Sequence, residues 1–420
     1  MKLTKKSQIL MSFFLNNNYV HHEKQTRDTN NILYELYEEL IKANDFLNRI
    51  KKEREFSYGV YIKKIANVSQ ISKPKFFNSD SFPERIRRDI DNKAVLEYSY
   101  TFSLFNREIT IIFVLEEQGN IKEYNKYVDA IIMWLYILNK YASDSCSKKI
   151  TIYLYFTKLE KRLPSSNISI LDHHNVNTAF TRTCPKDSEI VVFRKEEWFK
   201  VLIHETFHNF GLDFSDMNNS NCHNYILSLF PVNSDVNLYE AYTEFWAEII
   251  NSLFCSFYSL KNKNNVNEFM ENTEYFINFE RNYSFFQLVK TLKFMGLSYT
   301  DLYSKSQKSS IMRDNLYKED SNVLAYYIIK TILINNYQDF IFWCKKHNNS
   351  LLQFRKTTSN QTKLCKFIEK KYKTNQMLEN VKSSDLFMKK FKDLNGKNKI
   401  NINEIYYLLT NMRMSVCELG

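Results

Sequence analysis

The chain has 420 residues, 44% hydrophobic and 15% aromatic, which excludes a disordered chain and leaves ample material for a core. With six glycines and five prolines it is not collagen-like, proline-rich or built on glycine-loop nucleotide sites, and long helices are favoured. The formal charge of +11 reads as a solvated basic surface, since net charge governs solubility and loose association, and no specific nucleic-acid partner is expected from it.

The seven cysteines (Cys146, Cys184, Cys222, Cys255, Cys344, Cys365 and Cys417) show no CxxC spacing. Neither a disulfide framework nor a cysteine metal site is expected, and a reducing compartment is the default. Ile9–Leu15 follows Lys5 and Lys6 as in a signal peptide, but the run is short, gives way to Asn16–Asn18 and lacks a small-residue cleavage site. Ala130–Leu138 is far too short to span a bilayer. The expectation is a soluble, cytoplasmic protein with no membrane partner.

Leu33, Leu36, Tyr37, Leu40 and Leu47 recur at helical spacing and predict a helix over Ile32–Ile50. Lys73–Arg88, with two of the five prolines, reads as an irregular connection. Leu96, Tyr98, Tyr100, Phe102 and Leu104 alternate with polar residues and predict a half-buried strand; Asn106 and Arg107 fit a turn, and Glu108–Leu115 a central strand. A helix over Tyr124–Tyr141 and a strand over Lys149–Thr157 follow. Short strands are expected at Asn175–Arg182 and Glu189–Arg194, then a helix from Glu196 and Glu197, acids that suit a helix start, to Gly211, which suits a left-handed cap. The remainder reads as helical, over Val236–Leu253, Glu268–Phe294, Asn322–Lys346, Leu351–Lys373, Asp385–Phe391 and Ile402–Met412. Lysines are densest from Lys363 to Lys392, broken by Phe367, Leu386 and Phe387, as in a basic amphipathic helix. The fold class is α+β, with a mostly helical region over 1–93, a sheet-and-helix region over 94–255 and a helical region over 256–420.

Inside the apolar helix before Gly211 stands His204-Glu205-Thr206-Phe207-His208. Residues four apart share a helix face, so both imidazoles can meet one ion, and imidazole nitrogen is a natural zinc ligand. Glu205, beside His204, can reach a water at the open position without ligating the metal and act as general base. A third protein ligand must come from elsewhere. Position 214, ten residues after His204, is phenylalanine, and Asp213 is one place out of the known spacing. His223 sits in an Asn-rich stretch, Asn218–Cys222, that reads as an exposed loop. Glu240, Glu244 and Glu248 stack on one face of a helix among Leu238, Ala241, Phe245 and Trp246, and a buried carboxylate needs a partner. Asp235 can cap that helix, and Ala241 permits close approach to the HExxH helix. His173-His174 could be a metal pair, but adjacent residues on a strand point to opposite faces, so solvent or loop contacts are expected.

Together, His204–His208 and Glu240-Ala241-Tyr242-Thr243-Glu244 resemble the gluzincin class of HExxH metallopeptidases, in which a Glu on a second helix completes a zinc site. The resemblance covers roughly residues 94–255. It implies one zinc ion per chain held by His204, His208 and Glu240, with Glu205 as general base and Glu244 hydrogen-bonded to a ligating imidazole. It further implies a zincin-like lobe with a small twisted mixed sheet, an edge strand at Asn177-Thr178-Ala179 that pairs with substrate backbone, and an all-helical lobe behind it. The class often takes an oxyanion stabiliser from the later helices; Tyr326, Tyr327, Tyr299 and His223 are the candidates. The expected function is a zinc metallopeptidase acting on a peptide or protein. The rivals are a non-catalytic zinc protein with the same ligands and a basic nucleic-acid-binding protein. His204–Ser215 also resembles uncharacterised proteins of large DNA viruses, which agrees with a composition rich in AT-coded residues and would add the virion as a location.

Overall fold

The computed structural model describes residues 1–52, 59–394 and 402–420; the side chains of 391–394 and 402–404, Lys392 among them, lie outside the description. The chain is a mixed α+β fold, 55% helix and 12% strand. Helix α1 (Lys5–Asn16), capped by Thr4, buries Leu10, Met11 and Phe14. The apolar run that imitates a signal peptide is therefore one face of a packed helix. Helix α2 (Arg27–Lys52) follows, with its predicted leucines inward.

A six-stranded sheet runs in the order β1 (Gly59–Lys64), β2 (Leu96–Leu104), β3 (Arg107–Leu115), β4 (Lys149–Phe156), β7 (Asp187–Val192) and β6 (Ala179–Thr181). Strand β1 (Gly59–Lys64), absent from the periodicity, pairs antiparallel with β2 (Leu96–Leu104). Between them Glu84–Lys93 forms helix α3 behind Pro83, so part of the expected irregular connection is helical. Strand β3 (Arg107–Leu115) closes a hairpin with β2. Its turn lies at Phe105 and Asn106, one residue earlier than expected, because both take positive φ as a two-residue hairpin requires. Helix α4 (Ile121–Asn139) crosses to the parallel strand β4 (Lys149–Phe156).

The predicted strand Asn175–Arg182 is broken. Strand β5 (Leu171–Asp172) ends where Asp172 caps one helical turn, α5 (His173–Val176), by accepting the His174 N–H, so only β6 (Ala179–Thr181) remains extended. Strand β6 pairs antiparallel with β7 (Asp187–Val192) and forms one edge of the sheet. Strands β4 and β7 pair Lys149 with Asp187, which sets the residues three places earlier, Cys146 and Cys184, side by side. They form a disulfide, a correction to the reading of the cysteines: register across a parallel pair joins residues that no local spacing reveals. The other five cysteines are free and buried.

Helix α6 (Trp198–Asn209) is buried along its whole length and ends at Gly211, whose φ is +66°. Next is again a correction: helix α7 (Ser220–Leu229), seated by Cys222 and Ile226, begins inside the Asn218–Cys222 stretch that was expected as exposed loop. Helices α8 (Leu238–Ser259) and α9 (Val266–Met295) pack against each other, and Asn237, not Asp235, occupies the cap of α8. After α10 (Gln307–Leu316), the two-residue strand β8 (Glu319–Asp320) pairs with β5. The single helix expected over Asn322–Lys346 is in three parts: a π-helical turn at Leu324–Ile329, α11 (Lys330–Asn335) and α12 (Tyr337–His347). Helix α13 (Thr358–Lys371) starts at a Thr357 cap and not at Leu351. Helices α14 (Asn375–Leu394) and α15 (Ile402–Thr410) complete the fold.

The last residues pass beneath α6. Glu197 accepts the backbone N–H groups of Met414 and Ser415, and Glu280 accepts those of Val416 and Cys417. Among the described residues no helix is long and apolar enough to cross a membrane.

Candidate metal centre

On α6, His204 and His208 lie one turn apart and bring their Nε2 atoms to 3.1 Å. Glu240, in the first turn of α8, places Oε2 3.1 Å from Nε2 of His204 and 3.5 Å from that of His208. The far side of each ring meets another carboxylate. His204 Nδ1 is 2.9 Å from Glu244 Oε2, and His208 Nδ1 pairs with Asp213 Oδ2. An ionised carboxylate only accepts, so each Nδ1 carries the shared hydrogen, and a ring presents a bare Nε2 when it is neutral. Glu240 Oε2, which also accepts the Tyr326 O–H, converges with the two Nε2 atoms, and the group can hold a metal ion.

The electrostatics follow from this crowding. Burial opposes a charged His204, but its bonds to Glu240 and Glu244 outweigh burial and raise its proton affinity. Asp213 and Glu240 raise that of His208 further. Glu240, despite its burial, is held well below the usual carboxylate range by the two imidazoles. Glu205 lines the same cleft, and burial pushes its carboxyl up to about 6.

The cleft is about 200 Å³, and its walls include Asn177, Thr178, Ala179, Asn322, Tyr326 and Met414. The four candidate third ligands thus separate. Glu240 faces both Nε2 atoms, Glu244 and Asp213 stand behind the rings, and His223, on α7, bonds the Val236 carbonyl. Glu248, one turn beyond Glu244, pairs with Lys330. Of the oxyanion candidates, Tyr326 donates to Glu240 Oε2 at 2.7 Å, while Tyr327 and Tyr299 donate to the Met412 and Tyr372 carbonyls.

Two participants were not singled out in the sequence. Lys200, one turn before His204, is buried and pairs with Glu244 Oε1 at 2.5 Å. Its i−4 position on the histidine face is a signal that could have exposed it. Met414 lies more than two hundred residues from the motif and carries no such signal. Comparisons with protein-family models, curated proteins and solved structures find no match to this chain.

Proposed function

We propose that the chain is a zinc-dependent metallopeptidase of zincin-like fold, with zinc held by His204, His208 and Glu240. The observation that carries the reading is the separation of the three converging atoms, 3.1, 3.1 and 3.5 Å. A tetrahedral zinc with ligands at 2.0–2.1 Å needs edges of about 3.3–3.4 Å. The carboxylate behind each imidazole and the acid Glu205 within the cleft support it further.

A bound zinc ion supplies Lewis acidity that polarises a carbonyl and brings the pKa of water down to about 7. The chain's own residues do the rest. Glu205 takes a proton from the water as it adds to the peptide carbonyl and returns it to the departing amine. Tyr326 offers a phenol O–H to the oxygen that gains charge. Edge strand β6 has a free side along which an extended peptide can pair. Glu244 and Asp213 hold the imidazoles in orientation.

The test has two measurements. Purified protein should carry about one tightly held zinc per chain, and Glu205→Gln should keep zinc and fold while losing hydrolysis of a mixed peptide library by about 10²–10⁴-fold. Absence of zinc after incubation with the ion overturns the reading. Zinc without hydrolysis in the wild type moves it to a non-catalytic zinc protein.

A further inference from the structure

We propose that Asp172, His173 and His174 form a second and shallower site, for a divalent transition-metal ion. Adjacent histidines on a strand would diverge. They instead occupy the start of the single turn α5, where the imidazole centroids are 4.4 Å apart. One ligand atom from each of the three lies within 4.8 Å of the others.

Capping explains only part of this arrangement. Asp172 Oδ1 accepts the His174 N–H at 2.8 Å, which leaves Oδ2 facing the imidazoles, 3.4 Å from His174 Nδ1. Asp320 of β8 lies opposite Asp172 in the parallel register. Like charges abreast on neighbouring strands are destabilising, and among the described residues no lysine or arginine pairs with either aspartate. A dication beside Asp172 relieves that repulsion. The turn is also held firmly from behind: buried Arg194 donates to the His174 carbonyl at 2.7 Å and the Asn177 carbonyl at 3.2 Å.

The donors define the ligand. Two neutral imidazoles and a carboxylate suit zinc, nickel, cobalt or copper, whereas calcium and magnesium require oxygen cages. All three side chains are half-buried, so water completes the coordination. The position gives occupancy a consequence. Strand β5 leads through α5 to Asn177 and Thr178 in one wall of the cleft, and β8 leads to Asn322 and Tyr326 in the other. Ser321 bridges to Asn177 at 3.1 Å, so an ion held on the β5–α5 side would steady the turn that leads into that wall.

Zinc titration of metal-stripped full-length protein tests this without reference to hydrolysis. The wild type should bind two equivalents and His173→Ala/His174→Ala one, with its thermal unfolding in the absence of metal unchanged. Equal stoichiometry in wild type and that variant overturns the second site. His204→Ala/His208→Ala separates this proposal from the metallopeptidase reading. Loss of zinc in that variant alone removes the second site and leaves the first, and loss only in the His173/His174 variant does the reverse.

Discussion

Two clusters in this chain bring two imidazoles and a carboxylate together, and they differ in what stands behind the donors. At His204, His208 and Glu240 the histidines are four apart on a long buried helix, and Glu244 and Asp213 orient each ring. At Asp172, His173 and His174 the histidines are adjacent on one half-buried turn, and among the described residues no carboxylate other than Asp172 pairs with them. Burial of the two imidazoles makes the first cluster costly without a proton or a metal ion between its acceptors. Exposure makes the second tolerable empty or filled. The difference teaches that residue types nominate a metal site, while backing and burial set how strongly it is preorganised.

The largest expected effect is on the buried donors. His204→Ala, His208→Ala and Glu240→Ala should each abolish tight zinc binding, read as metal per chain after dialysis. Retention by Glu240→Ala would break the assignment of the third ligand.

Next comes Tyr326→Phe, which removes the phenol that bonds Glu240. Zinc should stay bound while kcat falls by about 10²–10³-fold, the usual cost of losing one oxyanion donor. An unchanged kcat would make Tyr326 a support for Glu240 alone.

The carboxylates behind the rings should cost less, with Asp213→Asn and Glu244→Gln each weakening zinc binding by about 10–100-fold in a competition titration. They should differ in stability. Glu244→Gln leaves Lys200 as an unpaired buried charge, worth about 3–5 kcal/mol in denaturant unfolding, whereas among the described residues no lysine or arginine pairs with Asp213. Equal stabilities would mean that Lys200 finds another partner.

The smallest effect is graded with pH. Glu205 must be ionised to act as a base, and burial raises its carboxyl to about 6. Hydrolysis should therefore fall as pH drops through about 6, or somewhat lower once a dication favours the carboxylate. An acid limb well above 6 would assign the titration to another group.

The parts of this molecule that were legible in the sequence are local. Alternation from Leu96 to Leu104 marks β2 residue for residue, because a strand with one buried face must repeat every two residues. His204 and His208 share a face because a helix repeats every 3.6 residues, and Gly211 ends that helix because it takes a positive φ without strain. Local chemistry misleads where a single cap or partner decides. Asp172 turns a strand-like run into a helical turn, and the polar stretch before α7 becomes helical because Cys222 and Ile226 find a core to enter.

By itself, then, the amino-acid sequence determined the helical and strand periods, the paired histidines with their neighbouring acid, and a short set of candidates for the third donor. The resemblance favoured Glu240 among them, but where each candidate stands was decided by the tertiary structure. Glu240, Glu244 and Glu248 have the same side chain at the same spacing, and periodicity alone does not separate them. They part because α8 crosses α6 at one position, so that successive turns meet the Nε2 atoms, the Nδ1 of His204 and finally Lys330. The Cys146–Cys184 bond and the passage of Met414 beneath the cleft have the same origin, contacts between residues far apart in the chain that exist only once the sheet register and helix packing are formed.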